Sequence, residues 1–107
     1  MQKSKVAVLY VVGILLSPNL FAKETKASVN REYQSCMNSA QTSTGANFCA
    51  SAAIEGYKSL LIGKKRTQFE ARSNACIAKY GRPNDLSAAE ASYTYDCQYK
   101  AVKSLIK

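Results

Sequence analysis

Four cysteines, Cys36, Cys49, Cys76 and Cys97, are spread through a chain of 107 residues, and all lie downstream of an N-terminal segment patterned as an export signal. An even number of cysteines in an exported chain predicts two disulfides. A domain this small buries a modest fraction of its surface. Staples worth about 2–4 kcal/mol each therefore supply much of its stability. A zinc site is excluded by spacing: no C-x-x-C pair occurs and the chain has no histidine.

The segment at 1–22 has three parts. Lys3 and Lys5 start it, an apolar run from Val6 to Leu16 follows, and Ser17-Pro18-Asn19 interrupts the chain before Leu20-Phe21-Ala22. This is the layout of a cleavable secretory peptide, with the small Ala22 at the cleavage point. The run is about half the ~20 residues that span a bilayer. The expected mature chain is 23–107, one domain, periplasmic or secreted. The leader holds Lys3 and Lys5 and no acidic residue, so its removal lowers the formal charge from +8 to +6. A basic exported chain suits anionic partners such as lipid head groups, acidic wall polymers or an acidic protein face. Nucleic acid is not expected as a partner in that compartment.

Helical periodicity dominates the mature chain. After a polar stretch at 23–28, Tyr33, Cys36, Met37 and Ala40 form one stripe of a first helix over Val29–Gln41. Thr42-Ser43-Thr44-Gly45 offers caps and a break. Phe48, Cys49, Ala52, Ala53, Tyr57, Leu60 and Leu61 then share a face of a second helix. Gly63 with Lys64-Lys65-Arg66 reads as the C-terminal end of that helix, where cations complement the dipole. One long bent helix through the same residues is the alternative. A third helix is predicted over Thr67–Tyr80, burying Phe69, Cys76, Ile77 and Tyr80, and it stops at Gly81-Arg82-Pro83. Ser87 and Glu90 have capping-box spacing and start a fourth helix whose inner stripe is Tyr95, Tyr99, Val102 and Ile106. Tyr93, Tyr95, Cys97 and Tyr99 also alternate as a strand would. The cap and the alanines favour helix. The expected fold is all-α, a small bundle of about four short helices stapled by two disulfides.

The residues that carry this pattern resemble a known family. Cys36, Ala40-Gln41-Thr42, Asn47-Phe48-Cys49-Ala50, Ala53 and Leu61 are similar to the opening motif of the LprI-type lysozyme-inhibitor family of exported bacterial proteins. Arg72-Ser73-Asn74-Ala75-Cys76 and Cys97 resemble the family's second half. Lys58 and Leu61-Ile62 stand where the family has an acidic residue and a Leu-Asn pair, and the chain lacks the family's tryptophan. The size and helical layout also resemble periplasmic immunity proteins that neutralise wall-cutting amidases. Both resemblances imply a helical plug for a cell-wall hydrolase, and the first implies the pairs Cys36–Cys49 and Cys76–Cys97. A helical hairpin about Gly63 offers the rival pairs Cys49–Cys76 and Cys36–Cys97.

Without histidine the usual general base is missing, and Glu32, Glu55, Glu70, Asp85, Glu90 and Asp96 are scattered singly. The reading is therefore a binding protein, not an enzyme, with no cofactor and no metal. The candidate partner-binding residues are Lys58, Lys64, Lys65 and Arg66, a concentration of charge near one turn, and Tyr93, the tyrosine of the fourth helix expected to be exposed. The first reading is an inhibitor or immunity partner of a cell-wall hydrolase. The alternative is a basic envelope or stress protein on anionic lipid or polysaccharide. Oligomeric state is not encoded in any motif.

Overall fold

A computed structural model describes residues 24–106; the expected leader lies outside them. Among the described residues four α-helices follow one another, α1 (Lys26–Ser39), α2 (Ser43–Lys58), α3 (Lys64–Tyr80) and α4 (Ala88–Leu105), with a 3-10 turn at Pro83–Asp85 before α4. The fold is all-α with two disulfides, as expected. The segment that also alternated as a strand lies within α4.

Capping explains the boundaries. Thr25 and Ser28 form a reciprocal capping box, so α1 begins three residues before the expected Val29 and includes part of the polar stretch at 23–28. Thr42 Oγ1 accepts from the Gly45 amide at 3.0 Å and starts α2. Ser87 and Glu90 cap α4 in the way their spacing indicates. Gly81 ends α3 at φ 105°, a conformation open to glycine and strained for other residues.

The pairings Cys36–Cys49 and Cys76–Cys97 staple α1 to α2 and α3 to α4, each with Cα atoms 5.7 Å apart. Their registers run antiparallel. Val29 meets Gly56 in the first pair, and Ser73 meets Gln98 in the second. A Cβ on Gly56 would stand 3.1 Å from both Val29 methyls, so glycine permits the close approach of α1 and α2. α4 is the central helix: α2 and α3 both pack on it and scarcely touch each other. The rival hairpin pairing fails for that reason, because Cys49 and Cys76 face different neighbours.

The core consists of Val29, Ala53, Ile54, Tyr57, Leu61, Phe69, Val102 and Leu105. Phe48, Ala52 and Tyr80, expected to face inward, are exposed, and Ile77 is only half-buried. Phe48 is 72% exposed, because α2 turns Cys49, Ala53 and Tyr57 inward and the residue before Cys49 lies about 100° round the helix. Tyr80 is 38% exposed at the end of α3. On α4 the inner stripe includes Ala91 and Thr94 besides Val102 and Leu105, while Tyr95, Tyr99 and Ile106 are half-buried. Fully buried Thr94 donates its hydroxyl to the Gly81 carbonyl at 2.9 Å, satisfying both groups at the crossing between α3 and α4.

Candidate functional site

The antiparallel pairings collect the start of α1, the end of α2, the start of α3 and the end of α4 at one pole. There Lys26 and Lys65 flank a depression formed with Leu60, Leu61, Leu105 and Ile106. The α2–α3 connection builds the tip of this pole. α2 stops at Lys58, and the amides of Leu60 and Leu61 donate back to the carbonyls of Tyr57 and Lys58 at 2.9 and 3.0 Å. That tightening buries Leu61 and turns Ile62 outward, where it is 82% exposed. Gly63 at φ 60° then restarts the chain as α3.

The position of Lys64, Lys65 and Arg66 corrects the sequence reading. They form the first turn of α3 and do not close α2. Burial of Leu61 ends α2 early, and the positive φ of Gly63 re-aims the backbone before the charges are reached. The electrostatic consequence reverses sign. Cations at a helix C-terminus complement its dipole; here they stand at the positive end. No acidic residue lies in that turn and Gly63 brings no side-chain cap. Positive potential from the side chains and from uncapped amides therefore adds up at one place. Arg66 Nη1 donates to the Leu61 carbonyl at 3.4 Å, which ties the turn to the loop.

Lys58 differs from the other three. It is half-buried, pairs with Glu55 at 3.4 Å and lines a separate cleft between α2 and α3. Tyr93 is 64% exposed and stacks on Tyr80, with ring centroids 6.2 Å apart. Because α3 and α4 are antiparallel, that stack lies at the far end of α3, roughly 20 Å from its first turn. The structure thus unites Lys64, Lys65 and Arg66, assigns Lys58 to a neighbouring surface and places Tyr93 at the opposite end. Ile62 was not singled out from the sequence. Its signal was the run Leu60-Leu61-Ile62 before Gly63, since three consecutive apolar residues cannot all face the core of one helix.

An aromatic seam backs the pole. Tyr99 of α4 stacks on Tyr33 of α1 at 4.8 Å and meets Tyr57 of α2 edge-on at 6.0 Å. The Lys103 ammonium lies over the Tyr57 and Tyr99 rings, 5.2 and 5.6 Å from their centroids. Burial, followed by the neighbouring Tyr57 and Tyr33, pushes the Tyr99 phenol from 10.0 up to about 12. Among the described residues no group of three His, Cys, Asp or Glu side chains is placed to hold a metal, and no helix is long and apolar enough to cross a membrane. No protein-family model, curated protein or solved structure matches the chain.

Proposed function

We propose that the protein is an exported inhibitor or immunity partner that inserts its basic pole into the cleft of a cell-wall hydrolase. The observation that carries this reading is the convex tip at Ile62, followed at once by Lys64, Lys65 and Arg66 on the uncapped start of α3. Glycoside-cutting clefts present paired carboxylates. A protruding tip with an apolar end and a cationic flank complements such a cleft in shape and in sign. The leader pattern and the two cystines support the export that this role needs.

The same tip favours one second reading, because an exposed Ile62 among cations also suits an anionic bilayer or polymer surface. Inhibition assays against a panel of lysozymes and wall amidases separate the two. The proposal expects near-stoichiometric inhibition of at least one enzyme, retained in part at a few hundred millimolar salt, where simple charge attraction is screened. Absence of inhibition across the panel, with salt-sensitive binding to phosphatidylglycerol vesicles, supports the envelope reading instead.

A further inference from the structure

Since α2 and α3 rest on α4 and not on each other, they diverge from the loop at 59–63 and leave a cleft of about 610 Å³ between them. Its volume lies in the range of ligand sites. Ser51, Glu55 and Lys58 form one edge of α2 at helical spacing along the cleft, and Arg82, Asn84 and Asp85 close its far end. The floor holds the buried Ile54 and Phe69 together with Tyr95 and Gln98. Gln98 Nε2 donates to Ser73 Oγ at 2.9 Å, which leaves the Gln98 side-chain carbonyl for another donor. Among the described residues no side-chain hydrogen bond or ion pair engages Ser51, Arg82, Asn84 or Asp85.

We propose that this cleft binds a short peptide carrying both ammonium and carboxylate groups. A cation stands at each end, Lys58 towards the basic pole and Arg82 beside the 3-10 turn, and each has a carboxylate near it in sequence, Glu55 or Asp85. A polyanion would meet Glu55 and Asp85 with the wrong sign. Lys58 and Glu55 already pair with each other at 3.4 Å, but a neutral glycan would displace water from Arg82 and Asp85 and return no counter-charge. A peptide bearing both signs satisfies them together: a carboxylate on Arg82, an ammonium on Asp85, a further charge exchanged into the partly exposed Lys58–Glu55 pair, and its apolar atoms over Tyr95. The site is separate from the tip at Ile62 and does not rest on the hydrolase reading. Two sources share this chemistry, peptides in general and the stem peptides of the cell wall.

The test is an NMR amide titration of the intact, oxidised protein with three probes: the wall tripeptide Ala-γ-D-Glu-diaminopimelate, the all-L peptide Ala-Glu-Lys, and neutral chitotetraose. The expected result is saturable shifts at Ser51, Glu55, Asn84, Asp85 and Gln98 with one or both peptides, and none with chitotetraose. Tighter binding of the wall tripeptide assigns the wall as source, and equal binding assigns peptides in general. Arg82→Ala should weaken the peptide by about tenfold. Arg82 is exposed, and retained dispersion of the spectrum verifies that the variant is folded. No peptide-induced shift up to about 10 mM overturns the proposal, since such a Kd corresponds to under about 3 kcal/mol of binding. Equal shifts with chitotetraose, or an unchanged affinity in both Arg82→Ala and Glu55→Gln, overturn it as well.

Discussion

Thr94 and Tyr99 show how far single side chains on α4 are set by their surroundings. Thr94 is completely buried and its hydroxyl serves the Gly81 carbonyl. Thr94→Val preserves shape but leaves that carbonyl without its donor, and should lower stability by about 1–2 kcal/mol in a denaturant titration. Tyr99 gives a pH prediction. Its folded-state pKa, raised to about 12 from 10.0, means that the folded protein holds the phenolic proton more tightly than the unfolded chain. Its contribution is fully present below pH 10 and is lost as the pH rises through about 12. Absorbance titration should show one tyrosine ionising late, and Tyr99→Phe should remove that step. Neither residue's role was visible beforehand: Thr94 was a polar letter between two tyrosines, and Tyr99 acquires its shift from α1 and α2.

At the scale of the element, α3 carries its charges at the wrong end for its own stability. Replacing Lys64, Lys65 and Arg66 by glutamate converts repulsion with the helix dipole into attraction, each change worth a few tenths of a kcal/mol, which together offset the long 3.4 Å bond that Arg66 gives up at the Leu61 carbonyl. The triple variant should therefore melt at the same or a higher temperature, with unchanged helical circular dichroism, and a lower melting temperature would contradict this account of the turn. A loss of binding in a protein that is no less stable would mark those cations as retained for a partner. The sequence made much of this architecture legible. The Ser87–Glu90 box placed α4 and Gly81-Arg82-Pro83 ended α3, while the stripe expected on α2 was right at Cys49, Ala53, Tyr57 and Leu61 and wrong at Phe48 and Ala52, which are exposed. It misplaced the end of α2, because the glycine and cations after Leu61 fit a helix stop as well as a helix start. Only the burial of Leu61 and the direction taken at Gly63 decide between them. The start of α1 was missed because Ser28 substitutes for the usual glutamate or glutamine of a capping box.

For the whole molecule, the two cystines divide the labour unequally. α1 contributes one fully buried residue, Val29, and is stapled only to α2. α3 buries only Phe69 and its half-cystine Cys76, but it forms a wall of the cleft and packs along α4, to which the second cystine joins it. Replacing Cys36 and Cys49 by serine should release α1 while α2–α4 remain protected in hydrogen exchange. Replacing Cys76 and Cys97 should cost about 2–4 kcal/mol of global stability. The pairing itself followed from a resemblance, whereas the spacing alone left a rival that only the central position of α4 removes. That same arrangement puts four helix ends at one pole and makes the tip at Ile62 the most exposed large apolar side chain among the described residues. The most direct test of the functional account is hydrogen–deuterium exchange on the complex with the wall hydrolase that the protein inhibits most strongly. The account predicts new protection across 59–66, abolished together with inhibition by charge reversal at Lys64, Lys65 and Arg66; protection confined to 88–95 around Tyr93, or no complex with any lysozyme or wall amidase, would contradict it.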